Sequence, residues 1–530
     1  MSSHFDETTV ASVLSSTYEK FGDKPALLSE DHWFTFAEVA ELARGLAVEL
    51  TLKGVHPGDR VVGYLHNGVP ARLLDHAILG FQFVRVALSA RLHPSEVAAI
   101  AVDAGASVVV CSPSVEDQVR EALAVVGSSA EVSVLTGSLT ELARLRAAAQ
   151  LNIVPAPGPV KQNEIVMLMY SSGTTGQPKG VVVTNETWLA QMSNALDNLP
   201  TISPRDVVVL GAPMAHFGGS IALDCMMQGA STVIVDPFEP GGLLNAIELH
   251  GGTIVPLVPT LLSRLLSSME ARPEAVSTVR AMPYGGSPTQ ADVLMRATRL
   301  LPDALVQFYG LAEALAPLAV LSSEDHREAV IELEANPADS ARWLAHLQSA
   351  GRWVDGVEYR ESEDGELQVR SSTVMPQYWN CPVRADGWFA TGDFGYTDDE
   401  GYLQLLGRRT DTIISGGFNV QPREVEQVIE QMDQIAEVAV VGLPDERWGE
   451  GVHAFVVIDP HASARTRETL TQAIREECLD HIASYKKPVG VHILEVLPRN
   501  SFGKVDRATI RALFQTPATS DNRTTAEGRR

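Results

Sequence analysis

The sequence predicts an α/β protein: a large N-terminal domain of layered α/β/α subdomains with a β-rich portion, then a small, mobile α+β C-terminal domain. Three observations carry that expectation. Helical periodicity and short apolar runs alternate through the first half of the chain. The same alternation returns between residues 207 and 266. Beyond Gly407 the pattern shifts to strand-like runs separated by two helical stretches.

The elements follow in order. Residues 36–52 carry apolar side chains at helical spacing, Gly54-Val55-His56-Pro57-Gly58-Asp59 is a turn, and 60–65 is a strand. Further helices are expected over 71–79 and 95–102, with a buried strand over 107–111. Short apolar runs at 165–169 and 180–184 predict two strands joined by a tight loop. From residue 207 the order is strand, helix, strand (231–235), helix, strand (252–258), helix. Such alternation implies largely parallel sheets. In the C-terminal part, strands are expected over 437–443, 453–458 and 489–494, and helices over 424–432 and 468–482. That part, about 100 residues, is large enough to fold alone. The expected boundaries are 1–408 for the large domain, 409–411 for a hinge and 412–514 for the small lid domain. Residues 515–530 are polar, lack apolar periodicity and are expected to be disordered.

With 530 residues the chain is too long for one core, and 45% hydrophobic with 20% charged residues is an ordinary globular composition. A net charge of −25 argues against nucleic acid or an anionic membrane as partner, because both need concentrated Lys and Arg. An anionic substrate would have to be met by local positive charge or backbone dipoles. Cys111, Cys225, Cys381 and Cys478 are far apart, without a CxxC or a histidine cluster, which fits a reducing compartment and no structural metal. The N-terminus shows no basic segment followed by an apolar one. The longest apolar region, 207–235, is broken by Pro213, His216, Asp224 and Gln228, unlike a membrane span. A soluble, cytoplasmic protein is expected.

The most informative stretch is Tyr170-Ser171-Ser172-Gly173-Thr174-Thr175-Gly176-Gln177-Pro178-Lys179-Gly180. Its glycines and hydroxyls make poor helix and poor strand, but a loop rich in backbone N–H groups suits a polyphosphate. It is not a Walker loop, since Lys179 is followed by Gly180 and the segment beyond is strand-like. Taken alone, such a loop is as easily a linker. Five further stretches give it context. Ala212-Pro213-Met214-Ala215-His216-Phe217-Gly218-Gly219 sets a lone histidine before a glycine pair, and Tyr284-Gly285-Gly286-Ser287-Pro288 ends a strand in backbone a flat ligand could approach. Phe308-Tyr309-Gly310-Leu311-Ala312-Glu313 supplies an aromatic face and a carboxylate. Thr391-Gly392-Asp393 places an acid after a turn, and Arg499-Asn500-Ser501-Phe502-Gly503-Lys504 a lysine near the end of the small domain.

With the run Gly407-Arg408-Arg409-Thr410-Asp411 through Ser415-Gly416-Gly417-Phe418, this order resembles the adenylate-forming superfamily of acyl- and aryl-CoA synthetases, adenylation domains and luciferases. The resemblance covers residues 10–513 and is closest in style to the acyl- or aryl-CoA ligases. It implies ATP-dependent activation of a small-molecule acid as an acyl adenylate, with release of pyrophosphate and then transfer to the thiol of CoA. Ser171, Ser172, Gly173, Thr174, Thr175, Gly176 and Lys179 would hold the β- and γ-phosphates. Tyr309 and Gly310 would meet adenine beside Gly285, Gly286 and Ser287; Asp393 would accept the ribose hydroxyls, with Arg408 nearby. Lys504 would bridge the acid's oxygen and the α-phosphate, and Glu313 would bind Mg²⁺. His216 would line the acid pocket and close a pantetheine tunnel, to which Gly416 and Gly417 would come after rotation about Thr410.

Two positions depart from the family pattern: Ala312 stands where a threonine usually precedes the glutamate, and Thr410 where Asp or Lys is usual. The alternatives are the same adenylation with a carrier-protein thiol or an amine as acceptor, an unusual acid, or a nucleotide-binding regulator without catalysis. A monomer or homodimer is expected. The identity of the acid is not written in the sequence.

Overall fold

Thr35 and Glu38 open the first long helix reciprocally: Glu38 N–H donates to the Thr35 hydroxyl at 3.2 Å and Thr35 N–H to the Glu38 carboxylate at 3.0 Å. The helix runs Phe36–Leu52, as its periodicity predicts, and buries Val39, Leu42, Ala43 and Leu46 along one face. The computed structural model describes residues 8–29, 32–153, 161–171, 179–381, 387–415, 418–445, 447–459, 467–500 and 504–515. The chain divides into two compact units, one of residues 1–391 and 395–405, the other of 392–394 and 406–530.

The first unit holds two sheets built mainly from parallel strands. One has six strands in the order Glu131–Val134, Val108–Cys111, Arg60–Tyr64, Val84–Leu88, Ile165–Ser171 and Lys179–Thr184. All neighbours in it are parallel except the last pair. The second has the order His32–Thr35, Pro25–Ser29, Ser231–Ile234, Val207–Leu210, with only its first pair antiparallel. Continuous apolar strands such as Val108–Cys111 are buried along their whole length, which is what helices on both faces require.

A third sheet, Met282–Gly285, Leu305–Tyr309, Ala319–Leu321 and Arg352–Trp353, combines one parallel pair with antiparallel ones. The β-rich portion is a sheet of Glu358–Glu361, Glu366–Arg370, Phe389–Thr397 and Leu403–Arg408. The expected strand over 252–258 differs. Its residues make isolated bridges instead, Ile254 to both Val208 and Ala281, and Leu257 to Tyr284. Pro256 removes a ladder donor in the middle of it. The helix read as 71–79 begins earlier, Val69–Gly80, with Pro70 in its first turn, and that read as 95–102 spans Pro94–Ala104.

The second unit has a sheet of Phe418–Val420, Ile413–Ser415, Gly449–Ile458 and Ile435–Asp445, with Gly490–Leu494 parallel to Gly449–Ile458. Helices Pro422–Glu430 and Arg467–His481 correspond to the two expected. A third, Arg507–Gln515, was not anticipated, and it takes in Gln515, the first residue of the expected tail; 516–530 lie outside the described residues. Among the described residues no helix is long and apolar enough to cross a membrane.

One core residue is out of keeping with its surroundings. Asp224, on the helix Phe217–Met227, is fully buried and accepts from Trp188 Nε1 at 3.3 Å and Gln191 Nε2 at 3.1 Å. Burial outweighs these donors and nearby Arg72, and pushes its carboxyl up from 3.8 to about 7. The folded protein therefore holds this proton more tightly than the unfolded chain, so stability is lost as pH rises from about 4 through about 7. Asp224→Asn is expected to flatten that part of the pH dependence of the urea midpoint. Equal slopes in the two proteins would contradict it.

Candidate active site

The glycine- and hydroxyl-rich loop leaves and re-enters an antiparallel hairpin, with Ser171 paired to Lys179, as the two flanking apolar runs predict. Ser172, Gly173, Thr174, Thr175 and Gly176 lie outside the described residues. Lys179 is exposed, and its ammonium stands 5.6 Å from the centre of the Tyr378 ring. Tyr378 in turn donates its hydroxyl to Glu313 Oε1 at 3.1 Å. The strand end bearing Lys179 and the turn bearing Glu313 are thus joined through one tyrosine. Backbone bonds hold it in place: Trp379 N–H to Gly180 O (2.6 Å), Val182 N–H to Gln377 O (3.2 Å) and Met375 N–H to Glu313 O (2.8 Å). Tyr378 was missed in the sequence; the adjacent aromatics Tyr378-Trp379 after Pro376 were the available signal.

Gly285 pairs with Phe308 in parallel strands, and a Cβ on Gly285 would lie 2.3 Å from Phe308 O, so only glycine fits. Gly286, in a positive-φ conformation, and half-buried Ser287 follow at the strand end. Tyr309 is buried with its ring edge-on to Trp353, centroids 6.4 Å apart, and Gly310 begins the turn that leads to Ala312 and Glu313. The Phe308 ring also meets Phe217 edge-on at 5.9 Å. That contact brings the loop of half-buried His216 beside the strand that carries Tyr309. His216 precedes the helix Phe217–Met227 and accepts Ser220 N–H through its carbonyl at 3.1 Å. A Cβ on Gly219 would lie 1.9 Å from Met214 O, so the glycine lets the helix start fold directly onto the loop before it. Cys225 and Met226 are buried core residues, as packing predicts.

The second unit assembles its own group. Asp393 is buried, and Arg408, about half exposed, donates its Nε to Asp393 Oδ1 at 3.0 Å. Lys504 stands near both: its ammonium is pushed below its ordinary pKa first by desolvation, then by Arg408, with Asp393 opposing. Its backbone meets Asn500: Asn500 N–H donates to Lys504 O at 2.8 Å and Lys504 N–H to Asn500 Oδ1 at 3.1 Å. Three residues on, Arg507 donates to buried Glu426 at 2.6 Å and stands 3.8 Å from Asp411 of the expected hinge. Gly416 and Gly417 lie outside the described residues.

A family model described as AMP-binding enzyme matches residues 14–379, and one described as AMP-binding enzyme C-terminal domain matches 424–504. The long-chain-fatty-acid–CoA ligase FadD13 of Mycobacterium tuberculosis is 33% identical over 92% of this chain and 94% of its own length. ATP-bound MatB from Rhodopseudomonas palustris superposes with a TM-score of 0.82 at 26% identity, over 96% of this chain and 99% of that one. The amide bond synthetase McbA from Marinactinospora thermotolerans gives 0.81 at 27% identity, over 96% of this chain and 100% of that one. Together, fold and site define an adenylate-forming enzyme. The chain belongs to the AMP-binding enzyme family.

Gly219→Ala forces its new methyl against backbone that has no rotamer to yield. A loss of about 1–3 kcal/mol, the cost of overpacking, is expected in denaturant unfolding. An unchanged midpoint would contradict the close approach.

Proposed function

We propose that the protein is an ATP-dependent acid–CoA ligase working in two half-reactions. The observation that supports the reading is a buried carboxylate, Asp393, held by Arg408, with Lys504 in electrostatic reach of both. In the first half-reaction a carboxylate oxygen of the acid attacks the α-phosphorus of ATP, the bond to pyrophosphate breaks, and an acyl adenylate remains. Two anions must meet, so neutralising charge is the main demand on the site. Lys504 meets it with a point charge on a flexible stem, bridging the acid's oxygen and the α-phosphate. Asp393 accepts the ribose hydroxyls, Arg408 stays beside ribose and phosphate, and Lys179 with the loop from Ser171 holds the β- and γ-phosphates. Adenine lies against the Gly285–Ser287 backbone beside Tyr309.

Glu313 suits Mg²⁺, which takes one or two carboxylates together with phosphate oxygens, since the Tyr378 hydroxyl engages one of its oxygens and orients the other. When bound, the ion would offset phosphate charge. In the second half-reaction the CoA thiol attacks the acyl carbonyl carbon, AMP leaves, and the thiol proton passes to solvent. His216 lines the acid pocket and closes the thiol's path, and rotation about residues 409–411 withdraws Lys504. A second reading, an amine acceptor, is favoured by one observation, the similarity to an amide bond synthetase. We place the enzyme in the cytoplasm, where its free thiols suit a reducing medium, as a monomer or homodimer.

Lys504→Ala is expected to slow ATP–pyrophosphate exchange by about 10²–10³-fold, the scale of losing one charge-stabilising group. An unchanged rate would remove Lys504 from the mechanism. Glu313→Gln is expected to raise the Mg²⁺ concentration needed for half-maximal exchange, and an unaltered Mg²⁺ dependence would contradict the role given to Glu313.

A further inference from the structure

Three polar side chains from one region of the first unit converge on the backbone around His216. Asn67 donates its amide to Ala212 O at 2.9 Å, and its Oδ1 accepts Met214 N–H at 2.9 Å. Arg85, on the strand Val84–Leu88, donates to Met214 O at 3.4 Å. Arg72, on the helix Val69–Gly80, donates to Gly219 O at 3.2 Å. The four bonds therefore fall on both sides of residue 216, before it in the loop and after it in the first turn of the next helix.

Both arginines are buried, and both are held by the same buried carboxylate. Asp75 Oδ1 accepts Arg85 Nε at 2.6 Å and Asp75 Oδ2 stands 3.4 Å from Arg72 Nη1. Burying two guanidiniums on one carboxylate is a poor way to gain stability, because apolar side chains of similar volume commonly do as well or better. What leucines or methionines at these positions could not supply is rigid N–H donors aimed at particular carbonyls. Asp75 fixes the direction of both guanidiniums, and the guanidiniums fix Met214 and Gly219.

We infer that Asn67, Arg72 and Arg85 are positioning residues for His216, with Asp75 as the group that orients the two arginines. This rests on the role given above to His216 in the acid pocket. The four bonds go to the main chain, so they act by setting where the imidazole starts from. A loop free to shift by an ångström would leave the acid and the thiol less well placed, while the ATP groups on other elements would keep their geometry.

Removing a charged member would leave another charge buried without its partner and could unfold the chain. Asn67, neutral and half-buried, gives the cleaner test. Asn67→Ala, His216→Ala and the double variant are compared with the parent in thioester formation. The acid is the one that gives the fastest pyrophosphate release from a panel including dodecanoate, benzoate and ferulate. Asn67→Ala removes both of its bonds to the loop and is expected to raise the acid KM by about five- to tenfold, the low end of the scale for two lost hydrogen bonds, with the ATP KM unchanged. In the His216→Ala background the same change is expected to have little further effect. Arg85→Met, where it folds, is expected to show the same split.

A parallel rise in both KM values, effects that simply add, or no effect of Asn67→Ala beside an impaired His216→Ala would overturn the inference alone. A fully active His216→Ala would overturn the reading of His216, and the inference with it. Absence of pyrophosphate release with every acid would overturn the proposed function.

Discussion

A carboxylate and a triphosphate repel one another, and this chain carries a net charge of −25 that would repel both. The positive charge that lets them meet has to be local. In the function proposed above it comes from the ends of secondary-structure elements: Lys179 where a hairpin strand resumes, Arg408 at the end of a strand, and Lys504, whose backbone bonds to Asn500. Each is stationed against something that limits its freedom. Lys179 lies over an aromatic ring, Arg408 is tied to Asp393, and Lys504 is bonded through its backbone to Asn500.

How much of the fold could be read in advance depended on whether local pattern and tertiary packing agreed. Phe36–Leu52 was legible to the residue because a capping box, a buried stripe and helix-forming residues all coincide. The hairpin flanking the phosphate loop was legible because two apolar runs are separated by residues that fit neither helix nor strand. Residues 252–258 were misread for the opposite reason. Their apolar composition reflects a segment buried between two sheets, while Pro256 denies it a continuous ladder. The helix Arg507–Gln515 was missed because it is short and its place is set by Arg507 on Glu426, a contact with no local signature.

The candidate site divides along the same line. Long motifs in a fixed order single out Glu313, Asp393 and Lys504 as candidates, whereas what surrounds them was not legible. Tyr378 joins Lys179 to Glu313 only because the segment 374–379 lies against the hairpin, and the aromatic pair Tyr378-Trp379 gives no hint of which strand it meets. Arg72, Asp75 and Arg85 sit in no motif, and their burial and their bonds to the His216 loop are properties of the assembled unit. Motifs mark candidate positions, whereas the contacts around them are specified by packing.

The most direct test of the central claim is pyrophosphate release from ATP across a panel of aryl, fatty and small acids, each with and without CoA, with mass analysis of the products. The account predicts that one class of acid releases pyrophosphate, that AMP accumulates with it, and that CoA raises the rate and appears as a thioester. Cleavage of ATP to ADP and phosphate, or no acid-dependent release with any member of the panel, would contradict it.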